Sequence, residues 1–360
     1  MTRKFWKRTE PLDHAELARL LPAPSDPRMT PDRQLLFEEH LLNEIRTPTA
    51  KATARPVRRA LLITVPVTAA ALAGVLALGA LTPGTGPNGE PASVEAAVVP
   101  IEAGSTVQLV STVQRIATAA TKQPTPEPKP GQYIYVKSEV SYQSSSHNAD
   151  TGEEKTWVQP LHPREIWKSP DGLKGWLDEP GYQDEGGVPL GQDAPGSKPV
   201  NGKDIPGKAP SHLSYDWLKA QPTNPDALLK SIYATAGNTR DRDQRAFQEI
   251  KSIVNEQLVP ARTAAALYRA AAKIPGVVVV ENSEDATGRA GLALARVDER
   301  YGERTELVFD RTTFVYLGSR GVQVTEYDGV KPGTVTERTA ILERAVVDAR
   351  KTRPTTHGTA

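Results

Sequence analysis

The chain has 360 residues, a formal net charge of +1 and no cysteine. This length suits one domain of ordinary size together with accessory segments. The near-neutral charge argues against a protein that binds nucleic acid by neutralising many phosphates. The absence of cysteine excludes disulfide bonds, a thiolate nucleophile, cysteine-ligated zinc, an iron–sulfur cluster and a lipidated anchor cysteine.

Residues 1–59 are predicted to form a cytoplasmic segment with short helices. The stretch from Pro31 to Arg46 has helical spacing, and Thr30 stands at its N-cap. Its apolar row consists of Leu35, Leu42 and Ile45, with Phe37 and Leu41 nearby, while polar positions are supplied by Arg33, Glu38, Glu39 and Glu44. A helix this short buries no core of its own, so we expect the row to contact a cytoplasmic partner. A solvated tail and a helix lying on the membrane are the alternatives.

Residues 60–81 read ALLITVPVTAAALAGVLALGAL and contain no charged residue. About 20 apolar residues in a helix span a hydrocarbon core of roughly 30 Å, so a transmembrane helix is predicted. Basic residues precede it (Lys51, Arg55, Arg58 and Arg59), and the first charge after it is acidic. The positive-inside rule therefore places the N-terminus in the cytoplasm of a single-pass plasma-membrane protein. A buried core helix and a cleaved signal fit less well, because the segment lacks a polar stripe and nearly sixty residues precede it.

The remaining residues are predicted to form a linker (82–104), an extracytoplasmic α+β domain (105–350) and a disordered tail (351–360). The domain opens with a helical pattern at 105–121, and strand patterns follow at 132–140, 156–169 and 172–179. Residues 181–214, rich in Gly and Pro, predict a long loop. Helices are predicted at 225–237, 243–258 and 263–274, and strands at 277–284, 291–300, 304–313, 316–329 and 335–350. Strands, then helices, then strands indicate a curved antiparallel sheet packed with helices.

No established catalytic motif is present: we find no Walker A loop, GxGxxG turn, GxSxG elbow or HExxH helix. His162 lies in a proline-flanked turn and is expected to be solvated. Acidic residues such as Glu179 are expected on the surface, and Glu281, Glu284 and Asp285 form only a weak cation-binding candidate. We therefore predict that the protein is not an enzyme, and assign no catalytic, cofactor-binding or metal-binding residue.

Aromatic residues recur along the first strand candidates of the outer domain. They are Tyr133, Tyr135, Trp157, Trp167 and Trp176. Two interpretations remain open. The residues are ordinary core packing against the helices, or they line an apolar groove on the concave face of the sheet that takes a lipid, a lipoprotein tail or a peptide.

Several stretches resemble a family of actinobacterial single-pass membrane proteins known by the label CU044_5270. The resemblance lies in the basic-flanked span and in PGQYIYVKSE (130–139), PTNPDALLKSIY (222–233), ALYRAAAKIPGVVVV (266–280) and ELVFDRTTFVYLGSR (306–320). It implies an outer domain similar to the half-barrel of LolA-like lipoprotein carriers and periplasmic sensor domains. Because such proteins are often found beside extracytoplasmic-function sigma factors, it also implies a regulatory, anti-sigma-like role. The cysteine-free chain departs from the zinc-binding anti-sigma pattern, so any sigma factor would be bound by helical packing.

The leading hypothesis is thus a non-enzymatic regulator or sensor anchored in the cell envelope. Its outer domain would bind an apolar ligand, and its inner helix a sigma factor. The alternative is a tethered lipid or lipoprotein-binding module whose inner segment only anchors it.

Overall fold

The computed structural model describes residues 94–147, 154–182, 186–192, 213–236 and 241–355. The predicted cytoplasmic row (Leu35, Leu42 and Ile45) and the predicted transmembrane helix (60–81) lie outside these residues. Among the residues that are described, no helix combines the length and apolarity needed to cross a bilayer.

The described residues form an α+β fold with a large antiparallel sheet, which confirms the predicted fold class at this level. The helices are α1 (Leu109–Lys122), α2 (Tyr215–Lys219), α3 (Pro225–Ala236), α4 (Arg242–Glu256) and α5 (Ala261–Ala271). The strands are β1 (Tyr133–His147), β2 (Glu154–Val158), β3 (His162–Lys168), β4 (Lys174–Asp178), β5 (Val188–Gly191), β6 (Val278–Glu284), β7 (Ala290–Asp298), β8 (Glu303–Asp310), β9 (Tyr316–Gln323) and β10 (Val335–Val347).

Nine of these strands follow the order β5-β4-β3-β1-β10-β9-β8-β7-β6, and β2 pairs with the far end of β1. The first and last strands are therefore neighbours in the middle of the sheet. Their register runs from Tyr133 opposite Val347 to Tyr142 opposite Glu337. This pairing brings the C-terminal end of the domain onto the strands that carry most of the aromatic residues.

Strand alternation separates two faces of the sheet. The helix face includes Ile134, Val136 and Ile166, which pack in the core with residues of α1, α3, α4 and α5. The back face includes Tyr135 and Trp167, which belong to a separate apolar cluster. Burial of a large aliphatic or aromatic side chain contributes roughly 1.5–3 kcal/mol, so the helix face supplies most of the apolar stabilisation.

The structure differs from the predicted 181–214 loop because that stretch contains a strand. β5 is the edge strand and pairs with β4, opposing Trp176 with Pro189 and Leu177 with Val188. Four residues among glycines and prolines give no alternating pattern, so only the pairing with β4 identifies this strand. The predicted strand over 156–169 also divides, at Pro160, into β2 and β3.

Residues 94–105, most of which the sequence assigns to the linker, lie against the sheet. Isolated bridges join Val94 to Val158, Val98 to Thr334 and Ser105 to Val279. The Arg304 side chain donates a hydrogen bond of 2.6 Å to the carbonyl oxygen of Glu102. The chain entering the domain is thus attached to several strands before α1 begins.

Candidate functional site

Cross-strand register aligns three of the aromatic residues in a transverse row on the back face. Tyr135 on β1 lies opposite Trp167 on β3, and Trp167 lies opposite Trp176 on β4. The ring centroids of Tyr135 and Trp167 are 5.2 Å apart with a 42° angle between their planes. Tyr133 packs against the same cluster. We call Tyr133, Tyr135, Trp167 and Trp176 the aromatic row.

The structure therefore brings together four of the five predicted aromatic residues. The fifth, Trp157, lies on β2 opposite Ser144 and is not part of the row. The aromatic row is separate from the core beneath the helices, so packing against the helices does not account for it. What covers these rings is a different part of the chain.

The cover is the tail segment, which we define as residues 350–354. After β10 the chain turns, and Lys351 adopts a left-handed backbone conformation with φ of 65°. Trp167 Nε1 then donates a hydrogen bond of 2.7 Å to the carbonyl oxygen of Thr352. Lys351 Nζ lies 3.5 Å from the centroid of the Trp176 ring, within cation–π range. Trp167 is consequently only 2% exposed.

A row of charged residues lies beside the aromatic row on the same face, because on β1, β3 and β4 the charged residue is two positions away from the aromatic one. Register places Glu343, Lys137, Glu165 and Asp178 side by side across β10, β1, β3 and β4. The tail segment crosses from one row to the other, and the Arg353 guanidinium contacts both carboxylate oxygens of Glu165 at 2.6–3.0 Å. Three carboxylates and one ammonium leave these four sheet residues at a formal charge of −2, so the surface favours a cation.

Glu165 is the buried anion of this site, and only 5% of the residue is exposed. Burial on its own opposes ionisation, but the hydrogen bonds from Arg353 and from the Tyr135 hydroxyl (2.5 Å) lower the pKa of Glu165. Burial, followed by this same hydrogen bond, raises the pKa of Tyr135. The hydrogen bond with Glu165 also raises the pKa of Arg353. Near neutral pH the pair is therefore a carboxylate and a guanidinium with bidentate geometry.

A second polar cluster, on the helix face, corrects two predictions, one about His162 on β3 and one about Glu179 just after β4. His162 is not solvated: it is 4% exposed, its Nε2 lies 2.9 Å from Glu179 Oε1, and its ring stacks on Tyr182 at 3.8 Å. Glu179 is not on the surface either, since it is 8% exposed. The apparent turn around His162 is the start of β3, whose alternation directs this side chain toward the helix face.

The same cluster connects β3 to the end of α4. Glu256 accepts hydrogen bonds from Arg164 (2.9 Å) and Lys168 (2.5 Å). Burial opposes its ionisation, yet the nearby Lys168 and Arg164 lower the pKa of Glu256 to about 2. These groups pair with one another, so the cluster serves to fix the helix on the sheet.

A polar cleft of about 340 Å³ lies at one end of the sheet, lined by residues that include Tyr142, Glu303, Gln323 and Thr336. Burial raises the pKa of Glu303, although Thr336 donates a hydrogen bond to it. Across the described parts of the chain, no three His, Asp or Glu side chains are grouped to hold a metal ion. Asp285, part of the cation-binding candidate, instead accepts hydrogen bonds from Thr287 and Arg289.

Sequence reasoning missed Glu165, Lys351 and Arg353 as parts of this site. Alternation along β3 does place Glu165 on the same face as Trp167, so that residue had a readable signal. No local sequence pattern indicated Lys351 and Arg353, because their positions depend on the β1–β10 pairing and on the turn after Val347.

No protein-family model matches the chain, and a search of the curated proteins found no match. The class of the molecule therefore rests on its fold and site: an α+β domain whose sheet carries an aromatic row covered by its own C-terminal segment. The resemblance to the CU044_5270 family stays a prediction.

Proposed function

We propose that this chain is a membrane-anchored, non-enzymatic regulator or sensor of the cell envelope, whose outer domain binds its ligand at the aromatic row. The occupied aromatic row is the observation that carries the proposal. Ligand sites are mostly apolar with a few well-placed polar groups, and this one combines two indoles with a buried N–H donor and the buried carboxylate of Glu165. The tail segment accepts the hydrogen bond of the indole N–H, and it shares the Glu165 carboxylate with the Tyr135 hydroxyl.

The proposed topology would connect ligand binding by the outer domain to the cytoplasmic segment. Residues 60–81 would cross the plasma membrane, with the described domain outside and the Leu35, Leu42 and Ile45 row inside. An apolar row on a short amphipathic helix suits a groove on a partner protein. A sigma factor is the partner that the sequence resemblance suggests.

The tethered lipid or lipoprotein-binding module is the second candidate, and the apolar character of the aromatic row favours it. In that case the inner segment would serve only as an anchor. The two functions differ in what happens when the inner row is destroyed while the outer domain is left intact.

The test compares transcription in cells that carry the full-length chain, no chain, or the Leu35→Asp/Leu42→Asp double variant. A matched control, Gln34→Asp/Asn43→Asp, adds the same charge at polar positions of the same predicted helix. The regulator predicts that the double variant reproduces the transcriptional change of the deletion, whereas the control behaves as wild type. Unchanged transcription in the deletion, together with lipid co-purifying with the intact chain, would reject the regulator in favour of the tethered module.

A further inference from the structure

We propose that the aromatic row is a docking site for an extended basic peptide, and that the tail segment is a built-in competitor which such a peptide displaces. This inference rests on the proposed function and names the ligand class for that site. The tail segment itself shows the chemistry that the site accepts.

Three contacts recognise three different parts of a peptide. The Trp167 indole N–H donates a hydrogen bond of 2.7 Å to a main-chain carbonyl, that of Thr352. The Trp176 ring faces an ammonium group, that of Lys351. The Glu165 carboxylate accepts hydrogen bonds from a guanidinium, that of Arg353. An acyl chain supplies neither the acceptor nor the cations, so the site favours a peptide over lipid.

Charge complementarity points the same way. Without the tail segment, the charged row beside the aromatic row keeps three carboxylates, Glu343, Glu165 and Asp178, against the single ammonium of Lys137. Like charges on neighbouring strands are unfavourable, so the empty site would favour a cationic occupant. A basic peptide supplies that charge, whereas an acidic or neutral one does not.

The tail segment is placed so that it can leave without opening the core. The Arg353 side chain is 66% exposed, and Lys351 and Thr352 are also exposed. By contrast, the aromatic residues beneath the tail segment are buried, since Tyr135 is 1% exposed and Trp167 is 2% exposed. Departure of the tail segment would uncover apolar rings and an unpaired indole N–H, so an occupant in its place is favoured.

The backbone of the tail segment also favours exchange. Lys351 holds a left-handed conformation that a lysine rarely adopts, because its side chain crowds the backbone there. The segment needs this turn to fold back from β10 onto the sheet. A separate peptide that reaches the same three contacts needs no such turn.

The experiment measures binding of a fluorescently labelled peptide with the sequence of residues 349–360 by anisotropy. The full chain in detergent is compared with the same chain ended after Asp348, so that only the tail differs. We expect the shortened chain to bind at least ten-fold more tightly than the intact chain, whose own tail competes. A peptide carrying Arg353→Glu should lose at least ten-fold in affinity, as should the shortened chain carrying Glu165→Gln.

A second variant covers the case in which the shortened chain fails to fold. The chain carrying Arg353→Glu keeps its full length, but the new carboxylate repels its own tail from Glu165. It too should bind the wild-type peptide more tightly than the intact chain. Equal affinity of intact, shortened and Arg353→Glu chains would overturn the inference, and so would undiminished binding of the charge-reversed peptide. Binding of the shortened chain to phosphatidylglycerol vesicles but not to the peptide would overturn it as well, while leaving a ligand-binding function at the aromatic row intact.

Discussion

Trp167 Nε1 and the carbonyl oxygen of Thr352 form a 2.7 Å hydrogen bond between residues that are 185 positions apart in the chain. A buried indole N–H needs an acceptor, and leaving one unpaired costs about 1–3 kcal/mol. Here the acceptor is a main-chain carbonyl of a short surface segment. The bond therefore links a fully buried ring of the aromatic row to the exposed tail segment, which is the part of the site that is easiest to replace.

Replacing Trp167 with Phe separates the hydrogen bond from the ring. Trp167→Phe keeps an aromatic ring and removes the N–H donor, so we expect a loss of about 1 kcal/mol in unfolding free energy. Trp167→Ala should cost about 3–5 kcal/mol because it also leaves a cavity. In limited trypsin digestion, Trp167→Phe should speed cleavage after Lys351 several-fold, whereas Pro354 protects the bond after Arg353 in every variant. A cleavage rate equal to that of wild type would show that the bond does not hold the tail segment.

Removal of the Arg353 guanidinium should reveal the buried carboxylate of Glu165. We expect Arg353→Ala to reduce unfolding free energy by about 1 kcal/mol at pH 7, which is modest because the arginine is largely exposed. Arg311→Ala, at an arginine whose partner is the neutral Asn282, is the matched control and should stay within about 0.5 kcal/mol.

The Arg353 effect should also depend on pH with a defined sign. The pKa of Glu165 is lowered in the folded protein, so its ionic stabilisation is present above the ordinary value of 4.5 and is lost as pH falls below it. Urea titrations at several pH values should therefore show the Arg353→Ala difference shrinking below about pH 4.5. A constant difference down to pH 2 would contradict the assignment of Glu165 as the partner.

Much of the fold could be predicted from local sequence patterns, whereas the site could be predicted only in part. The helices α3, α4 and α5 were predicted close to their observed bounds, because apolar spacing and the break at Pro260 are local signals. The aromatic row was partly anticipated, since the residues recur on consecutive strands. The sequence did not indicate on which face of the sheet the aromatic row lies or that the tail segment covers it, because both follow from the long-range pairing of β1 with β10. The burial of His162 was missed for a similar reason: Pro160 and Pro163 read as a turn, although Pro163 lies within β3.

Glu256 should make a pH-dependent contribution to stability. Glu256→Gln removes the carboxylate between Arg164 and Lys168. Because the Glu256 side chain is 30% exposed, we expect a loss of about 1.5–3 kcal/mol, as for hydrogen bonds to charged groups. Because the folded pKa is about 2, this stabilisation is complete above 4.5 and is lost between pH 4.5 and about 2. Urea unfolding across this range should give a steep loss for wild type and a flatter curve for the variant. Glu127→Gln, at an exposed ion pair with Lys219, should change stability by less than about 0.5 kcal/mol.

Glu249 should behave in the opposite way. Burial raises its pKa to about 7, despite a 2.7 Å hydrogen bond from Thr235 and the nearby Arg245 charge, which both lower it. A raised folded pKa gives stability that is fully present below the ordinary value of 4.5 and is lost as pH rises to about 7. Glu249→Gln should therefore be more stable than wild type at pH 7.5 and similar at pH 4.5, as measured by thermal unfolding. Equal stability of wild type and Glu249→Gln at both pH values would contradict the half-buried position of Glu249.

The central claim is that the aromatic row binds the tail segment as a replaceable occupant. Its most direct measurement is the ¹⁵N–¹H spectrum of the tryptophan indoles in the full chain, in the chain ended after Asp348, and in that shortened chain after addition of the 349–360 peptide. We predict that the Trp167 and Trp176 signals move when the tail is removed and return toward their original positions when the peptide is added, while the Trp157 signal stays in place. Trp167 and Trp176 signals that are identical in all three spectra would contradict the claim.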